Sequence, residues 1–385
     1  MNTKWEENKI TDYPSVDDKP LGSVEMWKKQ LYEGCLLGGA VGDALGYPVE
    51  FASETEIQHR FGDAGICRLS QAGNPARISD DTQLTLFAAN AIIFNACHRD
   101  GRPLPACLKK AYQEWFSTQF SASMENQTAL MWVYEDKRMH AVRAPGYTCL
   151  AGISEFDDTQ AVCPANNNSK GCGTVMRAAP FGLMRTAKPQ EPTKDGIRLV
   201  EEIARIDASL IHGHPVAQSS SAMLSSIVYR LTQQELSHIH RLKDEILQIN
   251  IGEDDLQSLA HKAIRLALDP ATEDLSGIHA LGEGWVGDEA LAIAVFCAVR
   301  YQDDFSSAIR AAVNHSGDSD STGAICGNIL GAWLGVQEVA KAYKLEDLEL
   351  RDVILEIADD LFAMAEGKIV LQGENSRWDE RYFLR

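Results

Sequence analysis

Apolar residues recur along the chain at the three- and four-residue intervals of amphipathic helices, whereas no convincing run alternates as a β-strand does. Residues 81–98 show this spacing clearly, with apolar side chains on one side of a helix at Leu84, Phe87, Ala88, Ala91 and Ile92. The same pattern predicts further helices over residues 224–236, 288–300, 306–315 and 346–367. The sequence therefore predicts an all-α protein.

The segment 346–367 carries acidic residues opposite its apolar stripe. A charged face of this kind is typical of the solvated side of a surface helix, so we expect these acids to lie in solvent without a specific role.

Turn-forming residues interrupt the helical pattern at 71–77, 144–147, 163–173 and 269–287. None of these breaks is long or distinctive enough for an interdomain linker, so we predict one domain over residues 26–370. Residues 1–25 are polar and contain two prolines, which favours a poorly ordered or partner-docking extension. Residues 371–385 are assigned to a C-terminal tail.

Two segments near opposite ends of the chain carry glycine at every fourth position: Gly34, Gly38, Gly42 and Gly46 in one, and Gly323, Gly327, Gly331 and Gly335 in the other. Because each glycine inside a helix costs about 0.5–1 kcal/mol relative to alanine, four on one face require a compensating interaction. Close approach of two helix backbones supplies it through dispersion contacts. We therefore predict two helices packed tightly against each other in the core.

The composition narrows the functional class. The chain has 385 residues, 45% hydrophobic and 24% charged, as expected of a globular protein with a sizeable core. Its formal net charge of −19 argues against general nucleic-acid binding, which requires a basic surface. We find no secretory signal, no apolar run of the ~18 residues that a membrane span requires, and no paired cysteine spacing. These features predict a cytoplasmic protein with reduced thiols and no membrane partner.

Clusters of hydroxyl and carboxylate side chains begin two of the predicted helices, one at Ser79, Asp80, Asp81 and Thr82, the other at Asp318, Asp320, Ser321 and Thr322. A single Ser or Asp at a helix start is explained by capping, which contributes about 1 kcal/mol. Neighbouring carboxylates repel each other, however, and capping does not require that crowding. Mg²⁺ or Mn²⁺ would relieve the repulsion, because these ions prefer oxygen ligands. We predict a site for two such ions, with capping alone as the alternative.

Two familiar aspartate motifs do not fit the second cluster. An EF-hand loop starting at Asp318 would place Ile329 at the twelfth position, where a bidentate glutamate is required. A phosphatase motif of the D-x-D-x-T type follows a buried strand, whereas the polar residues "NHSG" precede Asp318 and a helix-like segment follows it.

Six blocks of the sequence together resemble the ADP-ribosylglycohydrolase family, the group related to the dinitrogenase-reductase-activating enzyme. In chain order they are GCLLGGAVGDALGYPVEF, ISDDTQLTLF, SKGCGTVMRAAPFGL, IHGHP, GWVGDEALAIAV and HSGDSDSTGAICGNILGA, within roughly residues 31–340. Each block alone is a weak signal, whereas six in the family's order are specific. The resemblance implies a compact, single-domain orthogonal helix bundle with a two-metal Mg²⁺ or Mn²⁺ centre, which hydrolyses the glycosidic bond of ADP-ribose.

The resemblance also implies roles for individual residues. It assigns the metal ligands to Ser79, Asp80, Asp81, Asp318, Asp320 and Ser321, the last replacing a threonine that is frequent in the family. Glu50 matches a glutamate that lies over the metal centre in relatives, although by itself it is an ordinary acid after a proline turn.

The segment SKGCGTVMR is a glycine-rich loop that leads into a helix. Backbone N–H groups at Gly171, Gly173 and Thr174 are suited to cradle a pyrophosphate or distal ribose, with a plain loop as the alternative. The resemblance implies that this loop contacts ADP-ribose, but Cys172 stands where asparagine is frequent in the family. It also implies a place for His212 near the ribose phosphate.

The function implied by the resemblance is removal of ADP-ribose from an ADP-ribosylated protein. The blocks GDALGYPVEF and HSGDSDSTG favour arginine as the linkage. The implied catalytic residues are Asp318, which takes a proton from the attacking water, Glu50, which assists at the leaving group, and Asp80.

Two other functions stay open. The chain is alternatively an immunity-type binding protein that blocks an ADP-ribosyltransferase toxin through its N-terminal extension, with or without hydrolysis. The second alternative is a hydrolase of another small molecule, such as a nucleotide derivative.

Overall fold

The computed structural model describes residues 21–98, 101–120, 129–157, 159–160, 162, 164–184, 194–233, 241–369, 378 and 381–382. Within these ranges the chain forms α-helices and short 3-10 helices, with isolated bridges between loops and no β-strand. The predicted all-α class is therefore confirmed. Across the same ranges, no helix combines the length and the apolar character that crossing a bilayer requires.

The α-helices of the described residues, in chain order, are α1 (Leu21–Gly46), α2 (Glu54–Phe61), α3 (Leu69–Ala72), α4 (Asp80–Cys97), α5 (Leu104–Thr118), α6 (Tyr147–Ser154), α7 (Ala179–Gly182), α8 (Lys194–Ile211), α9 (Pro215–Gln233), α10 (Leu242–Leu247), α11 (Asp254–Leu268), α12 (Asp274–His279), α13 (Gly287–Arg300), α14 (Phe305–Val313), α15 (Ser319–Leu334), α16 (Val336–Ala342) and α17 (Arg351–Ala365). The 3-10 helices are Tyr47–Val49, Trp132–Glu135, Lys137–Met139, Cys172–Thr174 and Leu345–Asp347. The five segments predicted to be helical correspond to α4, α9, α13, α14 and α17.

Helices α1 and α15 form the centre of the fold and make its most extensive helix–helix contact. They run antiparallel with glycine facing glycine, at Gly34 and Gly331, Gly38 and Gly327, and Gly42 and Gly323. A methyl group added at any of these positions would overlap the backbone of the opposite helix. The predicted tight packing of the two glycine segments is therefore confirmed.

The last glycine of each segment differs from the other three. Gly46 packs against the backbone of Ser319 and Asp320, where α15 begins. Gly335 ends α15 with a φ of 82°, a conformation that glycine adopts readily, and its nearest neighbour across the interface is 3.6 Å from an added methyl group.

The remaining helices surround this pair. Helices α16 and α17 pack beside α1, α13 and α14 pack beside α15, and α4 lies between α5 and α17. Every residue of α4 from Asp80 to Phe94 is buried. Neighbouring helices cover α4 on several sides at once. The buried surface of this helix is therefore wider than the single apolar stripe that the sequence predicts.

The acidic face of α17 is solvated only in part. Asp360 is fully buried and accepts hydrogen bonds from the Tyr382 hydroxyl (2.9 Å) and from Nη1 of Arg381 (3.2 Å). The expectation that these acids all lie in solvent is therefore wrong for Asp360. Both of its partners belong to the predicted C-terminal tail, so those two residues pack against the helical body.

The predicted N-terminal extension falls mostly outside the described residues, which begin at position 21. Helix α1 begins at Leu21, so residues 21–25 belong to the first helix instead of an irregular segment.

The glycine contact makes a prediction about stability. Alanine at Gly38 gains about 1 kcal/mol of helix propensity, but its methyl group overlaps the carbonyl of Gly327. We expect Gly38→Ala and Gly327→Ala each to lower the free energy of unfolding by about 2 kcal/mol in urea denaturation. In the control Gly287→Ala, the added methyl group meets the Ser220 side chain at 3.3 Å, and we expect a change below about 1 kcal/mol. Equal effects at all three positions would contradict the packing argument.

Candidate active site

The N-terminal ends of α4 and α15 meet at one cavity of about 200 Å³. Its acidic and polar lining comes from segments far apart in the sequence and includes Glu50, Asp80, Asp81, Asp318, Asp320 and Ser321. The glycine-rich loop and His212 form another part of the wall. The structure thus brings together both carboxylate clusters and the loop that the sequence singled out.

The start of α15 is held by hydrogen bonds of its own residues. Asp318 is the N-cap, and its side chain accepts a hydrogen bond from the backbone N–H of Ser321 at 3.2 Å. The same N–H lies 3.0 Å from Oδ1 of Asp320. The backbone N–H of Asp318 donates to the carbonyl of Glu283 at 2.9 Å. Capping therefore occurs at this helix, as the simpler interpretation requires, but it uses only part of the two carboxylates.

The start of α4 is built in a similar way. Ser79 is the N-cap and accepts a hydrogen bond from the Asp81 N–H at 3.2 Å. The N–H of Asp80 donates to the carbonyl of Arg143 at 2.9 Å, while an oxygen of Asp80 lies 3.4 Å from the N–H of Gly146. Ser79 is fully buried and does not line the cavity, unlike the two aspartates.

Asp43 is a site residue that sequence reasoning missed. It projects from α1, is fully buried, and accepts hydrogen bonds from the backbone N–H groups of Ser79 (2.9 Å) and Thr82 (3.1 Å) and from the Thr82 hydroxyl. Asp43 thus positions the start of α4 without lining the cavity. The available signal was a lone carboxylate inside the otherwise apolar glycine-rich segment 34–46 of α1.

Burial of several carboxylates close to one another sets the electrostatics of the cavity. Burial, and then the neighbouring carboxylates, raise the pKa of Asp80, Asp81 and Asp320 well above the usual range. Burial and the charge of Asp318 raise the pKa of Glu50 to about 8. Within the described part of the chain, no lysine or arginine lines this cavity. The carboxylates therefore lack a cationic partner of the protein's own.

The donor set fits a hard divalent cation in its chemistry. All of the clustered donors are oxygens, and Oδ2 of Asp81 is buried without a hydrogen-bond partner among the described residues. In the described ranges, however, no three His, Cys, Asp or Glu side chains are gathered closely enough to hold a metal ion as they stand. The side chains that would hold a cation here are Asp80, Asp81, Asp318 and Asp320.

The glycine-rich loop forms the wall opposite the carboxylates. Gly171 and Gly173 line the cavity, whereas Thr174 is buried and its hydroxyl donates to the carbonyl of Ala217 at 3.1 Å. The N–H of Gly171 already donates to the Ser169 hydroxyl at 3.3 Å. The thiol of Cys172 donates to Oδ2 of Asp318 at 2.7 Å, a direct link between the loop and α15.

A buried network of Arg177, Asp207 and Tyr112 holds the glycine-rich loop. The Arg177 guanidinium lies 3.2 Å from Asp207, and its Nη1 donates to the carbonyl of Gly173. The Tyr112 hydroxyl donates to the other oxygen of Asp207 at 2.5 Å. Burial and the nearby Arg177 lower the pKa of His212 to about 3, so its imidazole is neutral at the cavity wall.

The Asp43 contacts make a second prediction. Asp43→Ala leaves the N–H groups of Ser79 and Thr82 buried without an acceptor, at about 1–3 kcal/mol for each donor. We expect the free energy of unfolding to fall by about 3 kcal/mol, measured by urea denaturation, and to fall less in Asp43→Asn, which keeps one acceptor oxygen. Asp63 is exposed, so Asp63→Ala serves as the control and should change the free energy of unfolding by less than about 0.5 kcal/mol. A loss in Asp43→Ala no larger than the control's would refute the positioning role.

Comparison with known proteins identifies the family of the chain. The sequence model of the ADP-ribosylglycohydrolase family matches residues 28–369. The ADP-ribosyl-[dinitrogen reductase] glycohydrolase of Rhodospirillum rubrum is 25% identical over 359 residues, covering 91% of this chain and 98% of that protein. The ADP-ribosylarginine hydrolase Tri1 of Serratia proteamaculans is 25% identical over 340 residues, covering 86% of this chain and 79% of that protein.

A solved structure described as an ADP-ribosylglycohydrolase-related protein complex shares the fold. It superposes with a TM-score of 0.56 at 22% identity, covering 88% of this chain and 99% of the other. With the family match across most of the chain, these findings show that the chain belongs to the ADP-ribosylglycohydrolase family, a family of hydrolases.

Proposed function

We propose that this protein removes ADP-ribose from ADP-ribosylated proteins, with arginine as the modified residue and two Mg²⁺ or Mn²⁺ ions as cofactors. The observation that carries the proposal is the convergence of four buried aspartates and Glu50 on the cavity that the glycine-rich loop also lines. The names of two relatives, one acting on ADP-ribosyl-dinitrogen reductase and one on ADP-ribosylarginine, support the substrate class.

Five of the proposed ligands of the ions line the cavity at the starts of α4 and α15: Asp80, Asp81, Asp318, Asp320 and Ser321. The sixth proposed ligand, Ser79, is the buried N-cap residue beside Asp80. Bound there, the ions would neutralise the carboxylates and supply Lewis acidity for the ribose hydroxyls and for water.

The protein's own side chains hold and move protons around the reacting carbon. Asp318 is fixed by the Ser321 N–H and by the Cys172 thiol, so its carboxylate points in a defined direction to accept the proton of the attacking water. Glu50 reaches the same cavity from the segment after α1 and is assigned proton transfer to the departing nitrogen. Gly171, Gly173 and His212 line the wall that would receive the rest of ADP-ribose.

The proposal is tested by release of ADP-ribose from an arginine-ADP-ribosylated protein, with Mg²⁺ or Mn²⁺ and with EDTA. We expect metal-dependent release that exceeds release from a serine-linked substrate and falls at least 100-fold in Asp318→Asn, because the general base is lost. Asp304→Asn is a matched control, since Asp304 also caps a helix, accepting from the Ser307 N–H at 3.0 Å, but lies outside the cavity. Absence of release with either metal would refute the hydrolase, and loss of activity in Asp304→Asn would refute the assignment of Asp318.

The carboxylate repulsion gives a further prediction, read from thermal unfolding. A carboxylate whose pKa is raised in the folded state lowers stability as pH rises above about 4, so the metal-free protein is weakened at neutral pH. In EDTA we expect Asp81→Asn to raise Tm by a few degrees, because it removes one repelling charge. At 100 times Kd, excess Mn²⁺ should add about 2.7 kcal/mol to the free energy of unfolding of the wild type and so raise its Tm, but it should not raise the Tm of Asp81→Asn. A wild-type Tm that ignores Mn²⁺ would contradict the metal site.

The alternative of an immunity-type protein that blocks an ADP-ribosyltransferase toxin depends on the N-terminal extension. Residues 1–20 lie outside the described residues, so this alternative stays a prediction from the sequence, as do the cytoplasmic location and a toxin as partner.

A further inference from the structure

Glu50 lines two cavities. One is the carboxylate cavity described above, and the other, of about 570 Å³, lies beside it and is lined by Glu50, Phe51, Ala52, Thr55, Glu56, His59 and Arg60. The second cavity contains none of the proposed metal ligands and no part of the glycine-rich loop. A molecule whose reacting bond lies at Glu50 therefore has room on both sides of it.

A stacked aromatic pair bridges the two cavities. The rings of Phe51 and Trp285 lie 5.1 Å apart at 17° to each other, and each ring lines a different cavity. Phe51 is 72% exposed and has a φ of 65°, which is unfavourable for a bulky residue. An exposed aromatic side chain held in a strained backbone at the mouth of a cavity contributes little to the core, and such strain is frequent at binding sites.

Both rings belong to segments that hydrogen bonds hold in place. The indole N–H of Trp285 donates to the Glu283 carboxylate at 3.2 Å. The backbone carbonyl of Trp285 accepts a hydrogen bond from the N–H of Cys172 at 3.2 Å. Phe51 lies two residues before Ser53, the N-cap of α2, which forms a capping box with Glu56. The pair is thus presented to solvent by ordered elements on either side.

We propose that the Phe51–Trp285 pair and the cavity beyond it bind the leaving side of the substrate, which is the modified arginine and the adjoining segment of the substrate protein. This inference rests on the function proposed above, since it assigns the other half of the same substrate. ADP-ribose would lie on the side of the glycine-rich loop, and the arginine on the side of Phe51.

The chemistry of the surface suits a guanidinium group. A planar guanidinium stacks on aromatic faces through its cation–π attraction to the ring. The carboxylate of Glu56 at the same cavity complements its positive charge. Arg60 also lines this cavity, and its guanidinium is engaged by a hydrogen bond to the Pro48 carbonyl at 2.8 Å and by the Phe61 ring, over which it lies. His59 completes the titratable lining.

The test compares Phe51→Gly with the wild type in two measurements. Glycine adopts a φ of 65° without strain, so this variant removes the ring and keeps the path of the backbone. Steady-state hydrolysis of an arginine-ADP-ribosylated peptide gives KM and kcat, and calorimetry gives Kd for free ADP-ribose. We expect KM to rise about fivefold, the size of one exposed cation–π interaction, with kcat and the Kd for ADP-ribose each changed less than twofold. Phe51→Tyr, which keeps a stacking ring, should restore KM.

The matched control is Phe120→Ala. Phe120 is also an exposed aromatic, 47% exposed and packed on Phe116 at 4.7 Å, but it lines neither cavity. It should leave KM and Kd unchanged. A Phe51→Gly variant with the wild-type KM would overturn the docking proposal alone, as would a loss of ADP-ribose affinity equal to the rise in KM, which would place the pair on the ADP-ribose side. A wild type that releases no ADP-ribose from the peptide would instead refute the proposed function, and this inference with it.

Discussion

The contact between the glycine faces of α1 and α15 is the constraint on which the rest of the structure depends. It brings two helix backbones together without side chains between them, and the dispersion contacts so gained offset the cost of glycine in a helix. The contact continues to Gly46, which meets Asp320 at the start of α15. Helix α1 also carries Asp43, which holds the start of α4. One helix therefore positions both pairs of cavity aspartates, one through backbone contact and the other through hydrogen bonds.

This rigidity explains how the protein keeps like charges close together. Carboxylates on mobile loops would separate, whereas these are attached to helix ends within the core and their pKa values rise instead. The site therefore stores an unfavourable interaction that the remainder of the fold compensates. Sites of this kind exchange stability for a defined arrangement of charge, which a cation or a substrate can then use.

The sequence predicted those features whose signal is local or periodic. Glycine at every fourth residue predicted the central helix pair, and adjacent aspartates at helix starts identified the residues that the fold brings to one cavity. The sequence did not predict Asp43, the Cys172–Asp318 hydrogen bond or the burial of Asp360, because their partners are distant in the chain. A carboxylate on a helix has the same local pattern whether it faces water or a buried donor, so only the folded neighbours decide its role. Thr174 shows the converse, since a favourable loop pattern did not place it at the cavity surface.

The two sides of the cavity are also mechanically connected. The Arg177–Asp207–Tyr112 network fixes the carbonyl of Gly173, and the neighbouring N–H of Cys172 donates to the carbonyl of Trp285. The thiol of Cys172 donates in turn to Asp318. A displacement of the glycine-rich loop would therefore move both the aromatic ring at the rim and the carboxylate at the start of α15. Cys172 therefore joins the wall next to Gly173, the aromatic rim and the proposed general base by direct hydrogen bonds.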